Sequence, residues 1–263
     1  MNSELAGVFF CSGARNHKLL DLFPTEITTF EVDERVASFK ALGLSKDLNR
    51  PVVICTTSGT AVSECLSAMI EAFYSEVSLV LVSADRPKEL HGTGAPQTID
   101  HEIITRNYRR EYIELNFDVF KNFNYQGHKF PLHVNVLIRS KDEVEFLNEA
   151  QEYFDFSAFL KLYKSPLFLF SHAPSDMRKL IERFSEYKIP FYAETLSQCH
   201  ELSPIRTEKK LLSLLRDGSF DSVVRIGHTP LSKCWRIIES LNIPVYNFDS
   251  RGLKALSQGM ICE

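Results

Sequence analysis

Glu34, in the run Phe30-Glu31-Val32-Asp33-Glu34-Arg35, is a carboxylate placed where an apolar run hands over to a helical pattern. Shielded from water, such a group can do acid–base work on a bound heterocycle; otherwise it favours the positive end of a helix, with Asp33 as the cap. Thr57-Ser58-Gly59-Thr60 marks a second handover, where backbone N–H groups and hydroxyls can cradle an anion or simply cap the helix. Arg86, in Ala84-Asp85-Arg86-Pro87, follows a third apolar run, on the side of an α/β sheet where ligand-contacting loops emerge. Its plainer role is a solvated cation or a loop ion pair with Asp85. No chemistry of other kinds is signalled. There is no G-x-G-x-x-G and no Walker A sequence, and Gly92-Thr93-Gly94 lacks a third glycine. His128 and His133 do not have the spacing of metal ligands on a helix, so no metal site made by this chain alone is expected.

The elements that must position these residues follow from the apolar pattern. Gly7–Cys11, Pro51–Cys55 and Leu79–Val82 are short apolar runs with little alternation, as expected of strands buried on both faces of a parallel sheet. Helical patterns lie between them, from Glu34 to Leu48 and from Ala61 to Phe73. Strand, loop and helix alternate, so the fold class is α/β. A strand is predicted at Leu132–Ile138 and a charged helix at Lys141–Tyr153; the aromatic stretch 108–125 carries no clear pattern. The second half alternates again. Strands are predicted at 167–170, 190–193, 223–226 and 245–248, with helices at 175–187, 208–216 and 232–241. The expected organisation is one parallel-sheet domain over residues 1–150, a linker over 151–163 and a smaller parallel α/β domain over 164–263.

Composition narrows the function classes. The net charge of −4 gives no basic footprint for nucleic acid, and no apolar stretch is long enough to span a membrane. The six cysteines are irregularly spaced without Cys-x-x-Cys, which reads as reduced thiols in a cytoplasmic protein. Small-molecule chemistry is the default.

The order and spacing of the motifs carry more than any one of them. Cys11-Ser12-Gly13-Ala14-Arg15, Asp33-Glu34-Arg35 with Ala41-Leu42-Gly43-Leu44, Thr57-Ser58-Gly59-Thr60-Ala61-Val62, Ala84-Asp85-Arg86-Pro87-Lys88-Glu89-Leu90 and Gly94-Ala95-Pro96-Gln97-Thr98-Ile99-Asp100 follow one another in the first half. Together they resemble the thiamine-diphosphate-dependent MenD family, the succinyl-enolpyruvyl-hydroxycyclohexene-carboxylate synthases of menaquinone biosynthesis. Weaker resemblance continues through Leu132-His133-Val134-Asn135, Thr195-Leu196-Ser197-Gln198, Ile226-Gly227 and Leu231-Ser232-Lys233.

The resemblance implies a pyrimidine-binding domain followed by a middle domain. No counterpart is found of the third domain, which holds the diphosphate and Mg²⁺ through Gly-Asp-Gly and a later Asn. Glu34 would be the catalytic acid, hydrogen-bonded to N1′ of the aminopyrimidine ring, with Thr57, Ser58 and Gly59 beside the cofactor. Arg15, Arg86, Gln97 and Lys233 would face substrates bearing carboxylates, Arg15 and Arg86 as planar bidentate clamps. The implied reaction is decarboxylation of 2-oxoglutarate and addition of the succinyl unit to isochorismate, in a homo-oligomer or with a chain that supplies the diphosphate half. The alternative is a non-catalytic binding subunit that keeps the fold. Ala14, Pro96 and Cys234 depart from the family's Ser, Asn and Arg, removing polar groups that bear on the acceptor.

Overall fold

The computed structural model describes residues 5–92, 95–139, 155–172, 177–227, 230–241, 243–248 and 259–262. The chain divides into two compact units, Met1–His91 with Gln97–Ser140, and Gly92–Pro96 with Lys141–Glu263.

In the first unit, β1 (Gly7–Cys11), α1 (His17–Leu20), β2 (Thr28–Glu31), α2 (Glu34–Leu48), β3 (Val52–Thr56), α3 (Thr60–Glu64), α4 (Leu66–Tyr74) and β4 (Leu79–Asp85) alternate as the pattern predicts. α5 (His101–Thr105), β5 (Glu111–Asn116), α6 (Phe117–Phe120) and β6 (Leu132–Leu137) complete it. All strand pairs are parallel, in the order β2-β1-β3-β4-β6-β5. Every residue of β1, β3 and β4 is buried, which explains their unbroken apolar character: α2, α3 and α4 cover one face and α1, α6 and loops the other. Fully burying each Val or Leu contributes about 1.5–3 kcal/mol.

Two details differ from expectation. The helix expected over 61–73 is broken at Cys65 into α3 and α4. The aromatic stretch contains β5, an edge strand half-buried up to its exposed last residue, Asn116; its mixed Glu, Tyr and Leu character hides it from a search for continuous apolar runs.

The second unit comprises α7 (Phe156–Leu162), β7 (Pro166–Phe170), α8 (Arg178–Glu186), β8 (Phe191–Ala193), α9 (Glu208–Arg216), β9 (Ser222–Ile226), α10 (Cys234–Ser240), β10 (Val245–Phe248) and β11 (Gly259–Cys262). Its sheet is parallel in the order β11-β10-β9-β7-β8. β11 adds a strand to those predicted. α7 lies within the stretch expected as linker and sends Phe159 into this unit's core against Tyr246. The predicted helix Lys141–Tyr153 lies outside the described residues, as does the start of the helix expected from Ser175.

Candidate functional site

The chain runs from β1 outward to β2 and then returns across β1 to β3, so the strand order reverses between β1 and β3. At such a switch point the loops leaving neighbouring strand ends diverge, and the crevice between them is where open α/β sheets bind ligands. Ser12-Gly13 leaves β1 here and Thr57-Ser58-Gly59 leaves β3. The two loops touch: a Cβ on Gly13 would lie 2.7 Å from Thr57 Cβ, so only glycine permits this approach.

Glu34 stands at the head of α2, which packs on β1 and β3. Asp33 does the capping, its Oδ1 accepting the N–H groups of Arg35 at 2.9 Å and Val36 at 3.1 Å. The Glu34 carboxylate is therefore not consumed by the helix end. It is half-buried, with Thr56 Oγ1 3.4 Å from its Oε1. Burial, reinforced by the nearby Glu34 charge, pushes the Cys11 thiol up to about 12, so Cys11 is no thiolate nucleophile at neutral pH. The remaining rim is apolar and open: Val32 is 99% exposed and Phe30 58%.

Ser58 is buried and its hydroxyl accepts a 2.6 Å bond from Arg86 Nη1, which also donates to the Gln97 carbonyl at 3.3 Å. Arg86 is itself buried, so its guanidinium ties the loop after β3 to the segment carrying Gln97. Gly59 adopts φ +83°, and a Cβ there would meet Gln97 Cβ at 3.1 Å. Gln97 sits at φ 60° with an exposed side chain. Ser58, Gly59, Arg86 and Gln97 are thus one contiguous cluster. Arg15 leaves the β1 loop, with Nη1 donating to the Ile138 carbonyl at the end of β6. Lys233 belongs to the second unit, where it precedes α10, has an exposed side chain, and gives its backbone N–H to Glu208 Oε1 at 2.6 Å. Cys234 beside it faces that unit's core.

Sequence reasoning missed a buried polar network behind the cluster. Asp85 ends β4 and is 1% exposed; its Oδ1 accepts Arg86 N–H at 2.7 Å, and its Oδ2 lies 3.1 Å from His101 Nδ1, 3.1 Å from Asn135 Nδ2 and 3.3 Å from His91 Nε2. Burial by itself would raise the Asp85 pKa, but these hydrogen bonds and the histidines hold it well below the usual carboxylate range. His91 is raised in turn, chiefly by its bond to Asp85. His133 is driven well below 6.5 by burial. The one available signal was Asp85 itself, an acid at the end of an otherwise apolar strand. Among the described residues no group of three or more His, Cys, Asp or Glu could hold a metal, and no helix is long and apolar enough to cross a membrane.

The chain is similar to known proteins along most of its length. Residues 2–104 match the family model for the thiamine pyrophosphate enzyme, N-terminal TPP binding domain. The 2-succinyl-5-enolpyruvyl-6-hydroxy-3-cyclohexene-1-carboxylate synthase of Bdellovibrio bacteriovorus is 32% identical over 94% of this chain and 53% of its own length. That of Akkermansia muciniphila is 29% identical over 88% of this chain and 48% of its own. The Corynebacterium diphtheriae synthase reaches 52% identity over a shorter region, 38% of this chain and 20% of its own. A solved benzoylformate decarboxylase from Polynucleobacter necessarius covers 98% of this chain and 55% of its own at 15% identity and TM-score 0.43, too loose a likeness to bear on the site. The chain spans about half the length of the curated synthases that it matches along most of its own length. Residues 2–104 therefore carry a thiamine pyrophosphate enzyme N-terminal domain, and the chain is similar to the N-terminal region of the 2-succinyl-5-enolpyruvyl-6-hydroxy-3-cyclohexene-1-carboxylate synthases.

Proposed function

We propose that this chain is the pyrimidine-side half of a thiamine-diphosphate-dependent carboligase, acting on small carboxylate substrates once a diphosphate- and Mg²⁺-binding half is supplied. The reaction by resemblance is release of CO₂ from 2-oxoglutarate and transfer of the succinyl unit to isochorismate. The observation that carries this reading is the place of the Glu34 carboxylate, half-buried at the head of α2 and 3.4 Å from Thr56 Oγ1 at the end of β3, while Asp33 supplies the helix cap.

The residues fit the pyrimidine portion of the cofactor. Glu34 would hold a proton at the ring nitrogen N1′, and the exposed Phe30, Val32, Val36 and Phe39 would shield that proton from water once covered. Bound thiamine diphosphate would supply the carbanion stabilisation that no side chain offers. Arg86, buried and bonded to Ser58 and Gln97, would shape the substrate-facing loop; Arg15 would contribute a cationic group for carboxylates. The open apolar rim also supports assembly with a second chain, either a copy of this one or the partner half, since a contiguous exposed apolar surface beside a polar group marks an interaction site.

The test is reconstitution. The chain would be combined with a protein carrying the diphosphate-binding domain, thiamine diphosphate and Mg²⁺, and CO₂ release from 2-oxoglutarate measured. Glu34→Gln is expected to lower the rate by about 10²–10⁴-fold without unfolding the chain. A rate changed less than threefold would instead favour a binding subunit in which Glu34 only complements the helix dipole.

A further inference from the structure

His101, the first residue of α5, is 2% exposed and has no role in the function proposed above. Its Nε2 lies 3.0 Å from the backbone nitrogen of Gly59, whose N–H points at it. A ring nitrogen that accepts carries no proton, so the proton of the neutral ring sits on Nδ1. Nδ1 faces two acceptors, Asn135 Oδ1 at 2.9 Å and Asp85 Oδ2 at 3.1 Å.

The surroundings agree with this assignment. Asn135 Nδ2 donates to Asp85 Oδ2 at 3.1 Å, which orients its carbonyl toward His101 and toward the Ser83 hydroxyl, 2.7 Å away. Ser83, having given its proton to Asn135, accepts from His133 Nε2 at 2.8 Å. That leaves His133 Nδ1 to accept from Thr105 Oγ1, also at 2.8 Å. Thr105 Oγ1 also lies 3.3 Å from the His101 carbonyl, a second acceptor for its proton, while the chain of bonds from Asp85 and Asn135 through His101 ends at the Gly59 amide.

We propose that His101 is a positioning residue: as the Nδ1–H tautomer backed by Asp85 and Asn135, it holds the Gly59 N–H and so fixes the loop that carries Ser58 against Arg86 and Gln97. The loop needs such a tie. Gly59 at φ 83° has no side chain and α3 receives no side-chain cap, so its N–H is satisfied only through His101 among the described residues. Gly59 packs against Gln97 Cα and Cβ, and His101 lies in the same turn-and-helix segment as Gln97. The histidine therefore closes a ring of contacts that runs from Gly59 through Gln97 and Arg86 to Ser58. That the loop faces thiamine diphosphate rests on the proposed function; that His101 fixes it rests on the geometry.

Two isosteres separate the two nitrogens. The carboxamide of asparagine overlays the Nδ1 side of a histidine ring and can still donate to Asp85, whereas that of glutamine overlays the Nε2 side and can still accept from Gly59. Using ¹⁵N-labelled full chain, the His101 ring shifts and the hydrogen-exchange rate of the Gly59 amide would be measured. The wild type is expected to show Nε2 unprotonated. His101→Gln should keep Gly59 protection within about threefold of wild type, and His101→Asn should lose about tenfold or more. In the reconstituted enzyme, His101→Asn should raise the half-saturating thiamine diphosphate concentration by a similar factor with little change in kcat. A protonated Nε2 in the wild type would overturn the proposal even if neither variant folds, and so would equal Gly59 protection in the two variants. If wild-type reconstitution gives no activity, the carboligase reading fails, while the ring tautomer and Gly59 exchange still decide the role of His101.

Discussion

Replacing Asp85 with asparagine should expose how much the first unit depends on one buried carboxylate. The side chain keeps its shape, but an NH₂ must replace one oxygen among the donors around it: Arg86 N–H on Oδ1, and His91, His101 and Asn135 on Oδ2. The least costly orientation turns the NH₂ toward Arg86 N–H, leaving a donor facing a donor, at about 1–3 kcal/mol. The bonds on the other oxygen drop from charge-assisted to neutral, for a combined loss of about 3–5 kcal/mol at pH 6, against a typical domain stability of about 5–15 kcal/mol.

The penalty should depend on pH with a defined sign. Asp85 is lowered in the fold, so its contribution is complete above its unfolded value of 3.8 and is lost as pH falls toward the depressed folded value. His91 is raised, so its contribution is complete below 6.5 and is lost as pH rises through the elevated folded value. The gap between wild type and Asp85→Asn should be widest between about pH 4 and 6.5 and narrow on both sides. Urea denaturation followed by far-ultraviolet circular dichroism would measure it. Fluorescence of Trp235, the single tryptophan, reports the second unit from α10. A gap under about 1 kcal/mol, or one that is flat from acid to alkaline pH, would refute the assignment of Asp85 as the network's central acceptor.

Gly59→Ala should destabilise by about 1–3 kcal/mol in the same assay, because alanine is strained at φ 83° and its Cβ would press on Gln97 at 3.1 Å. Asp33→Ala should cost about 0.5–2 kcal/mol through loss of the cap to Arg35 and Val36. In the reconstituted enzyme it should be far milder than Glu34→Gln, a contrast read directly from rates at saturating cofactor. Replacing exposed Val32 and Phe39 together with lysine should leave the melting temperature nearly unchanged but abolish association with a second chain, as followed by sedimentation velocity.

The parallel α/β class, the strands β1, β3 and β4 and the full extent of α2 were legible because burial on both faces demands continuous apolar residues and a half-buried helix demands its own period. Edge strand β5 was not, since half-buried positions tolerate residues that carry no pattern, and strand β11 was not expected either. Within the site, residue types and their order marked Glu34, Ser58, Arg86 and Gln97 as candidates. Local sequence could not decide whether Glu34 only complements the helix dipole beside the Asp33 cap, nor whether Arg86 turns to solvent or to Asp85. Those outcomes depend on which strand ends lie side by side. Residues 59, 85, 101 and 135 are far apart in the chain, and only the order β1-β3-β4-β6 gathers them, so that a carboxylate, two amide groups and a histidine ring must share their protons in one arrangement. The sequence alone determined that a carboxylate stands at the head of α2 beside its Asp33 cap; the tertiary structure decided that it meets Thr56 at the end of β3, and that the loop following that strand is held from behind by a buried histidine.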